Sequence, residues 1–408
     1  MSKIFSNKLV CLVGLLPLFW MLISISSCRK DIPIGKAAQN YPGDSYPNLF
    51  EAFWNGMNSN YVYWDMDTTN WDKVYSTYKP LFAKLTDFSS SNKQLAEQYF
   101  GQMTAGLMDS HFNLTFEVTG NTFNPYINRK LSINPGYFSD SSTPSAVLDL
   151  LIPNKYIDAS TLKMGTDVIT LDGAQTFLKA VSGTINNDIL YLYFNRFEFS
   201  LAGANTTPVF NYFFNTIHHL PANIKGVVID LRGNGGGELT DLDYLVGQMV
   251  SKQFTFGYTR AKNGIGRLDY TPWAPAVVKP WSGGSANITV PIVALADHLS
   301  ASMSEIVTMA IKTLPNGKFI GTRTWGANGP LAPNAYFNDG QFTIGVPTFG
   351  AKGYLFTFTS STLFKYINGD IYEGKGVPPD IYARETTNAY SNGDDLVMDA
   401  TINYIKSR

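Results

Sequence analysis

Apolar residues recur at steps of three and four through the first folded stretch of the chain. Leu49, Phe50, Phe53, Trp54 and Met57 mark one such face, and Leu95, Tyr99, Phe100, Met103 and Leu107 mark another. That spacing stacks side chains on one side of an α-helix. It predicts a helical domain over residues 46–117, with Asn70-Trp71-Asp72 opening a further helix. Between 118 and 185 turn residues divide the chain into short apolar runs, which predicts a small β-rich insert. From 186 onward Ile189–Phe194, Gly226–Leu231 and Pro291–Ala296 are dense apolar runs of strand length, with helical patterns at Leu239–Val250 and Glu305–Leu314. A strand apolar on both sides needs cover on both faces. Strands alternating with helices then predict a layered α/β core over 186–408, closed by a last helix at Leu396–Ile405.

The N-terminus follows a different logic. Lys3 and Lys8 precede an almost wholly apolar stretch, Leu9–Ile25, which ends in Ile25-Ser26-Ser27-Cys28. This resembles a bacterial lipoprotein signal, in which residues 1–27 are removed and Cys28 is lipidated. Residues 28–45, with Pro33, Gly35, Pro42 and Gly43, then form a tether. The competing reading is an uncleaved transmembrane anchor, since the run is near the lower limit of the ~17–25 residues that span a bilayer. Arg29-Lys30-Asp31 resembles the surface-export signal of some Gram-negative lipoproteins, and equally suits a solvated tether. The expected location is the cell envelope of a Gram-negative bacterium, outer-membrane or surface, with the membrane as a partner through lipid.

Composition narrows the chemistry. With 44% hydrophobic and 15% charged residues, the chain can bury a large core. A formal net charge of −1 gives no electrostatic reason to expect nucleic acid. Cys11 and Cys28 are the only cysteines, so the mature chain has no disulfide framework and no cysteine nucleophile. Four histidines without an H-E-x-x-H pair give no recognisable metal set, and nothing calls for a cofactor.

Three segments carry candidate chemistry. Asp230-Leu231-Arg232-Gly233-Asn234-Gly235-Gly236-Gly237 follows a buried strand, and its amides suit an anion or an oxyanion. No Gly-Lys-Ser/Thr follows, which argues against a phosphate loop. Ser300-Ala301-Ser302-Met303-Ser304-Glu305 opens a helix after another strand, a place suited to a nucleophile and equally to a capping box. Glu373-Gly374-Lys375-Gly376-Val377-Pro378-Pro379-Asp380 is a rigid loop.

In this order, and with Gly321-Thr322-Arg323-Thr324-Trp325-Gly326 between the second and third, these segments resemble the tail-specific (C-terminal processing) serine protease family. The resemblance covers about residues 186–385. It implies a crotonase-like layered β/α core, no cofactor, and a peptide or unfolded protein as substrate. By motif position the nucleophile is Ser302, and the oxyanion hole uses Met303 with Gly235 or Gly236. The better-known branch pairs its serine with a lysine directly after the Gly326 position, but Ala327 stands there. The tricorn-like branch uses histidine and glutamate. Here Leu107-Met108-Asp109-Ser110-His111 resembles its L-x-D-x-H segment, and Glu373 its acid. The resemblance therefore implies His111 as general base and Glu373 as a residue that orients or polarises the site. A structural role for His111 and a base at His298 are the alternatives. Met164–Gly173 is a faint echo of a PDZ strand, so the insert is expected to be a degenerate or missing PDZ domain. Two functions follow: a serine endopeptidase working through a Ser302 acyl-enzyme, or a non-catalytic lipoprotein that binds peptide or polysaccharide on the same scaffold.

Overall fold

The computed structural model describes residues 45–116, 119–133, 147–171, 173–264, 266–330, 341–345, 353–386, 389 and 391–408. The expected signal, Cys28 and the expected tether as far as residue 44 lie outside the described residues.

The chain opens with α1 (Tyr46–Asn60), α2 (Trp71–Phe82) and α3 (Ser90–Thr104). Asn70 caps α2 by accepting the Lys73 N–H at 2.9 Å. Leu49, Phe53, Trp71, Phe82, Phe100 and Leu107 bury their periodic faces together in one aromatic-rich core. There follow β1 (Asn113–Phe116), β2 (Asn121–Phe123), α4 (Pro125–Ile133), a wide π-helical segment (Val147–Tyr156), β3 (Lys163–Leu171), β4 (Ala174–Ile185) and β5 (Ile189–Phe194). Next come α5 (Thr207–His218), β6 (Gly226–Asp230), α6 (Asp241–Leu245), β7 (Phe254–Ala261), β8 (Ala274–Val278), β9 (Ile292–Ala296) and α7 (Met303–Thr313). The chain ends with β10 (Gly317–Gly321), β11 (Gln341–Gly345), β12 (Gly353–Phe358), β13 (Thr362–Tyr366), β14 (Ile381–Tyr382) and α8 (Leu396–Lys406).

The centre is a seven-stranded mixed sheet in the order β14-β10-β9-β6-β5-β4-β3. Its strands β5, β6, β9, β10 and β14 run parallel, and β3 and β4 are antiparallel additions at one edge. The continuous apolar runs are explained by cover on both faces. In β5, Leu190, Leu192 and Phe194 face the core built with α5 and α7, while Ile189, Tyr191 and Tyr193 face the core built with α8 and the π-helical segment. Val227 and Ile229 divide from Val228 in the same way. A three-stranded sheet, β13-β7-β8, adds to the first face, and a four-stranded sheet, β11-β12-β1-β2, joins the N-terminal helices.

Three expectations change. Residues 163–185 are not part of a separate insert, because β3 and β4 extend the central sheet and bury Leu178, Ala180, Val181 and Ile185 in its two cores. The supposed PDZ echo is β3 itself, and the remainder of 118–185 is largely helical where described. The helical domain at 46–117 is not closed by its own residues, since β1 pairs with β12 and Leu355 and Leu363 complete its core. The helix expected at Leu239–Val250 shrinks to α6 and a 3-10 turn, Gly247–Met249. There the backbone runs against the Lys279 carbonyl, which would lie 2.2 Å from a Cβ at Gly247.

One buried charge network fixes the start of the glycine loop. The Arg232 guanidinium donates to Asp230 (2.6 and 2.9 Å) and to Asp395 (3.0 Å), and lies 3.4 Å from Glu385. Asp395 also caps α8 through the Met398 N–H at 2.8 Å. The loop after β6 is thereby anchored to the C-terminal helix. Removing one partner of such a buried network costs about 3–5 kcal/mol, so Arg232→Met should lower the unfolding free energy by about that much in urea. Burial, and then the hydrogen bond and charge of Asp395, push the Glu385 carboxyl up to about 8. The folded chain thus holds a proton that the unfolded chain has already released, so this contribution to stability is lost as pH rises from the ordinary glutamate range to about 8. Urea midpoints at pH 5.5 and 8.5 should differ less in Glu385→Gln than in the parent.

Candidate active site

Ser302 stands between the end of β9 and the first turn of α7, at φ +54° and ψ −117°. A left-handed φ at a side-chain-bearing residue costs on the order of 1–3 kcal/mol and persists only where its surroundings enforce it. The enforcement is visible. The Ala301 N–H and the Ser304 hydroxyl both donate to the Asn234 carbonyl (3.1 and 2.7 Å), and the Ser300 hydroxyl donates to the Leu231 carbonyl at 2.7 Å. The serine run is in this way bound to the glycine loop on both sides of Ser302. The Glu305 carboxylate reaches back to the Ser302 N–H at 3.3 Å, and the Glu305 N–H donates to the Ser302 carbonyl at 2.9 Å.

The glycine loop is needed at close quarters. Gly236 has φ +103°, and a Cβ there would lie 2.7 Å from the Ser302 Cβ and 2.8 Å from the Met303 nitrogen. Its N–H donates to the Asn234 Oδ1 at 2.9 Å, so Gly236 supplies proximity and not an oxyanion donor. Of the two glycines expected as alternative donors, this leaves Gly235 with a free N–H. Among the described residues, the N–H groups of Gly235 and Met303 have no hydrogen-bond acceptor. Both flank the Ser302 turn, and α7 adds the positive end of its dipole. A cleft of about 240 Å³ opens beside Ser302, lined by Glu238, Leu239, Met303, Ile306, Asn328 and Pro330.

Two buried glutamates organise the opposite wall. Glu305 accepts the N–H groups of Gly326 (2.8 Å) and Ala327 (2.6 Å) as well as the Thr324 hydroxyl at 2.5 Å. Glu373 accepts the next two, Asn328 (2.7 Å) and Gly329 (2.9 Å), and the Ser110 N–H at 2.8 Å. The Ser110 hydroxyl closes the contact on the Gly326 carbonyl. Through this 326–329 segment the His111 loop and the Ser302 helix share a wall. Burial and then the charge of Asp109 push the Glu373 carboxyl up to about 8, against the pull of the Ser110 N–H. Among the described residues, Glu373 joins the backbone amides of the 326–329 segment to that of Ser110, next to His111.

His111 sits half-buried ahead of β1, with its Nδ1 3.3 Å from the Ser360 hydroxyl. Burial lowers its pKa, opposed by the charge of Asp109. The Tyr61 hydroxyl accepts the Met108 and Asp109 N–H groups (3.0 and 3.2 Å) and donates to Asp67 at 2.6 Å, which fixes the turn before it. His298 is buried in the turn after β9, two residues ahead of the Ser300 anchor. Ala327, in the place of the dyad lysine, gives its amide to Glu305. Lys130 on α4 lies over the rings of Tyr126 (4.7 Å) and Trp325 (5.2 Å), and burial lowers it to about 8 against the charge of Glu305.

The sequence reading missed Ser360, and the reason is register. Asn113 pairs with Phe358 in the antiparallel β1–β12 ladder. Two further steps along both strands set His111 opposite Ser360. No local pattern around either residue announces that meeting. The amide-binding role of Glu305 was hidden by its second reading as a helix cap.

A strained serine at a strand-to-helix turn with unpaired amides beside it, and a histidine loop tied to the same 326–329 wall, are features of the serine-peptidase class. Residues 188–383 match Peptidase family S41, and residues 42–88 match the Tricorn protease C1 domain. Residues 188–383 thus carry a peptidase family S41 domain. The chain is 26% identical over 181 residues to the Tricorn protease of Thermoplasma acidophilum, a match that covers 44% of this chain and spans only 14% of that protein. In fold it is similar to a putative peptidase from Parabacteroides merdae, with TM-score 0.62, 22% identity, and coverage of 89% and 97% of the two chains. Mature CPAF is similar with TM-score 0.54, 11% identity, and coverage of 89% and 95%.

The contact between Gly236 and Ser302 gives a direct test. Gly236→Ala should keep the fold, lose about 1–3 kcal/mol of stability from backbone strain, and strongly reduce covalent modification of Ser302 by a fluorophosphonate. Unchanged labelling would show that the glycine loop does not shape the Ser302 turn.

Proposed function

We propose that this protein is a serine endopeptidase of the cell envelope that cuts extended peptides or unfolded protein segments. The observation that carries the reading is Ser302 held at a left-handed φ beside the unpaired N–H groups of Gly235 and Met303. In the proposed reaction, the Ser302 Oγ attacks the substrate carbonyl carbon while His111 Nε2 takes the hydroxyl proton. The carbonyl oxygen becomes an oxyanion between the Gly235 and Met303 amides, which are fixed before the reaction and need no reorganisation. His111 then gives its proton to the leaving amine as the C–N bond breaks. Water, activated by the same histidine, hydrolyses the Ser302 ester. Glu305 and Glu373 hold the wall against which the substrate lies. The cleft's apolar lining with Glu238 at its edge suits a side chain of modest size.

A second reading, a peptide- or polysaccharide-binding lipoprotein without catalysis, is favoured by Ala327 in the lysine position and by Glu305 on the Ser302 N–H as half of a capping box. Intact-mass analysis after fluorophosphonate treatment separates the two. The endopeptidase reading expects one adduct on the parent, absent from Ser302→Ala and strongly reduced in His111→Ala. A folded parent with no adduct would sink it in favour of the binding protein, and full labelling of His111→Ala would remove His111 as the base.

The envelope location rests on the basic, apolar and Ser26-Ser27-Cys28 pattern of the N-terminus. Cys28→Ala should abolish incorporation of labelled palmitate and release the protein from the membrane fraction. Retention of both would overturn the lipid anchor.

A further inference from the structure

We propose that Ser360 and Asp109 form a relay that fixes the tautomer of His111, with Ser360 as the positioning residue between carboxylate and ring. The proposal rests on the reading of His111 as the base. It follows from counting protons around Asp109, which is fully buried. The Asp109 carboxylate accepts four hydrogen bonds: the His111 N–H (2.9 Å) and the Ser360 hydroxyl (2.9 Å) on Oδ1, and the Thr359 hydroxyl (2.7 Å) and the Ser360 N–H (2.7 Å) on Oδ2. A hydroxyl has one proton and two lone pairs. Ser360, whose proton points to Asp109, therefore offers a lone pair to His111 Nδ1 at 3.3 Å.

That lone pair requires the proton of neutral His111 to reside on Nδ1. Nε2 is then left as the acceptor, which is the form a general base must have. When Nε2 takes the serine proton, the positive ring is stabilised by a hydroxyl already polarised by Asp109. The carboxylate that performs this service is thus Asp109, reached through Ser360, while Glu373 is occupied by three amides.

The surroundings are built for the bridge. Ser360 is held on both its N–H and its hydroxyl by the same carboxylate, and it is fully buried. A Cβ at Gly329 would lie 2.5 Å from the Ser360 Oγ and 2.1 Å from the Tyr63 hydroxyl oxygen, so the cleft wall leaves room for the relay only with glycine there. Asp109, Glu373 and Tyr63 are the titratable groups packed around it. Burial and then the charges of Glu373 and Asp109 raise Tyr63 well above its ordinary value, which keeps it neutral alongside His111.

The test is long-range proton–nitrogen NMR of the histidine rings in the 15N-labelled full chain, beside the pH dependence of fluorophosphonate labelling at Ser302. The parent should show His111 with its proton on Nδ1. Ser360→Ala should move the proton towards Nε2, shift the acid limb of labelling to lower pH, and slow labelling by roughly 10². Ser360→Thr, which keeps the hydroxyl, should restore all three. A parent ring with its proton on Nε2, or a Ser360→Ala protein with unchanged tautomer and acid limb, overturns the relay. A parent ring with the proton on Nδ1 in a protein that forms no Ser302 adduct supports the relay and overturns the peptidase reading instead.

Discussion

Four consecutive backbone amides, from Gly326 to Gly329, are shared between two buried carboxylates. The rest of the site depends on this arrangement. A buried carboxylate is costly to leave without partners, and a buried run of N–H groups equally so. Each meets the other's need here, and each glutamate carries a second attachment. Glu305 is part of the helix that begins at Ser302, and Glu373 holds the loop that carries His111. A segment with no regular secondary structure thereby becomes a fixed wall, and Ser302 and His111 are referred to the same four atoms.

The same economy applies to Ser302. Its backbone is in a region that side-chain-bearing residues avoid, and the strain is maintained by bonds that converge on the Asn234 and Leu231 carbonyls. Those carbonyls belong to a loop that is itself pinned by Arg232 to α8. The chain of restraint runs from the C-terminal helix through a buried guanidinium to the serine turn. Close-packed cores on both faces of the central sheet keep that path rigid, since interiors of this density yield little to local strain.

Much of this was legible in the sequence. The apolar runs at Ile189–Phe194 and Gly226–Leu231 identified covered strands, because each must satisfy two cores. The glycine loop, the serine run and the Glu373 loop carried their identities in ordered residue types, and the family match agrees with them. The division of the chain was less legible. Met164–Gly173 has a polar and apolar alternation that suits an independent edge, and only its pairing with β4 reveals it as part of the central sheet. Gly235 and Gly236 are equivalent donors in the sequence, because glycine permits both amide exposure and close approach, and the sequence cannot say which is used at which position. Ser360 was invisible, since strand register is a property of two distant segments and is written in neither.

The distribution of these parts along the chain has a consequence for its birth. Ser302 emerges from the ribosome well before Ser360 and Glu373, and β12, which sets the register opposite His111, follows it too. Contacts this far apart in sequence form late, after the entropy of closing long loops has been overcome. A growing chain therefore displays the serine before the structure that surrounds it exists. The serine turn is made before its wall and before the strand that sets the β1–β12 register, and the residues from Gly326 to Arg408 complete its setting only when they fold back onto it.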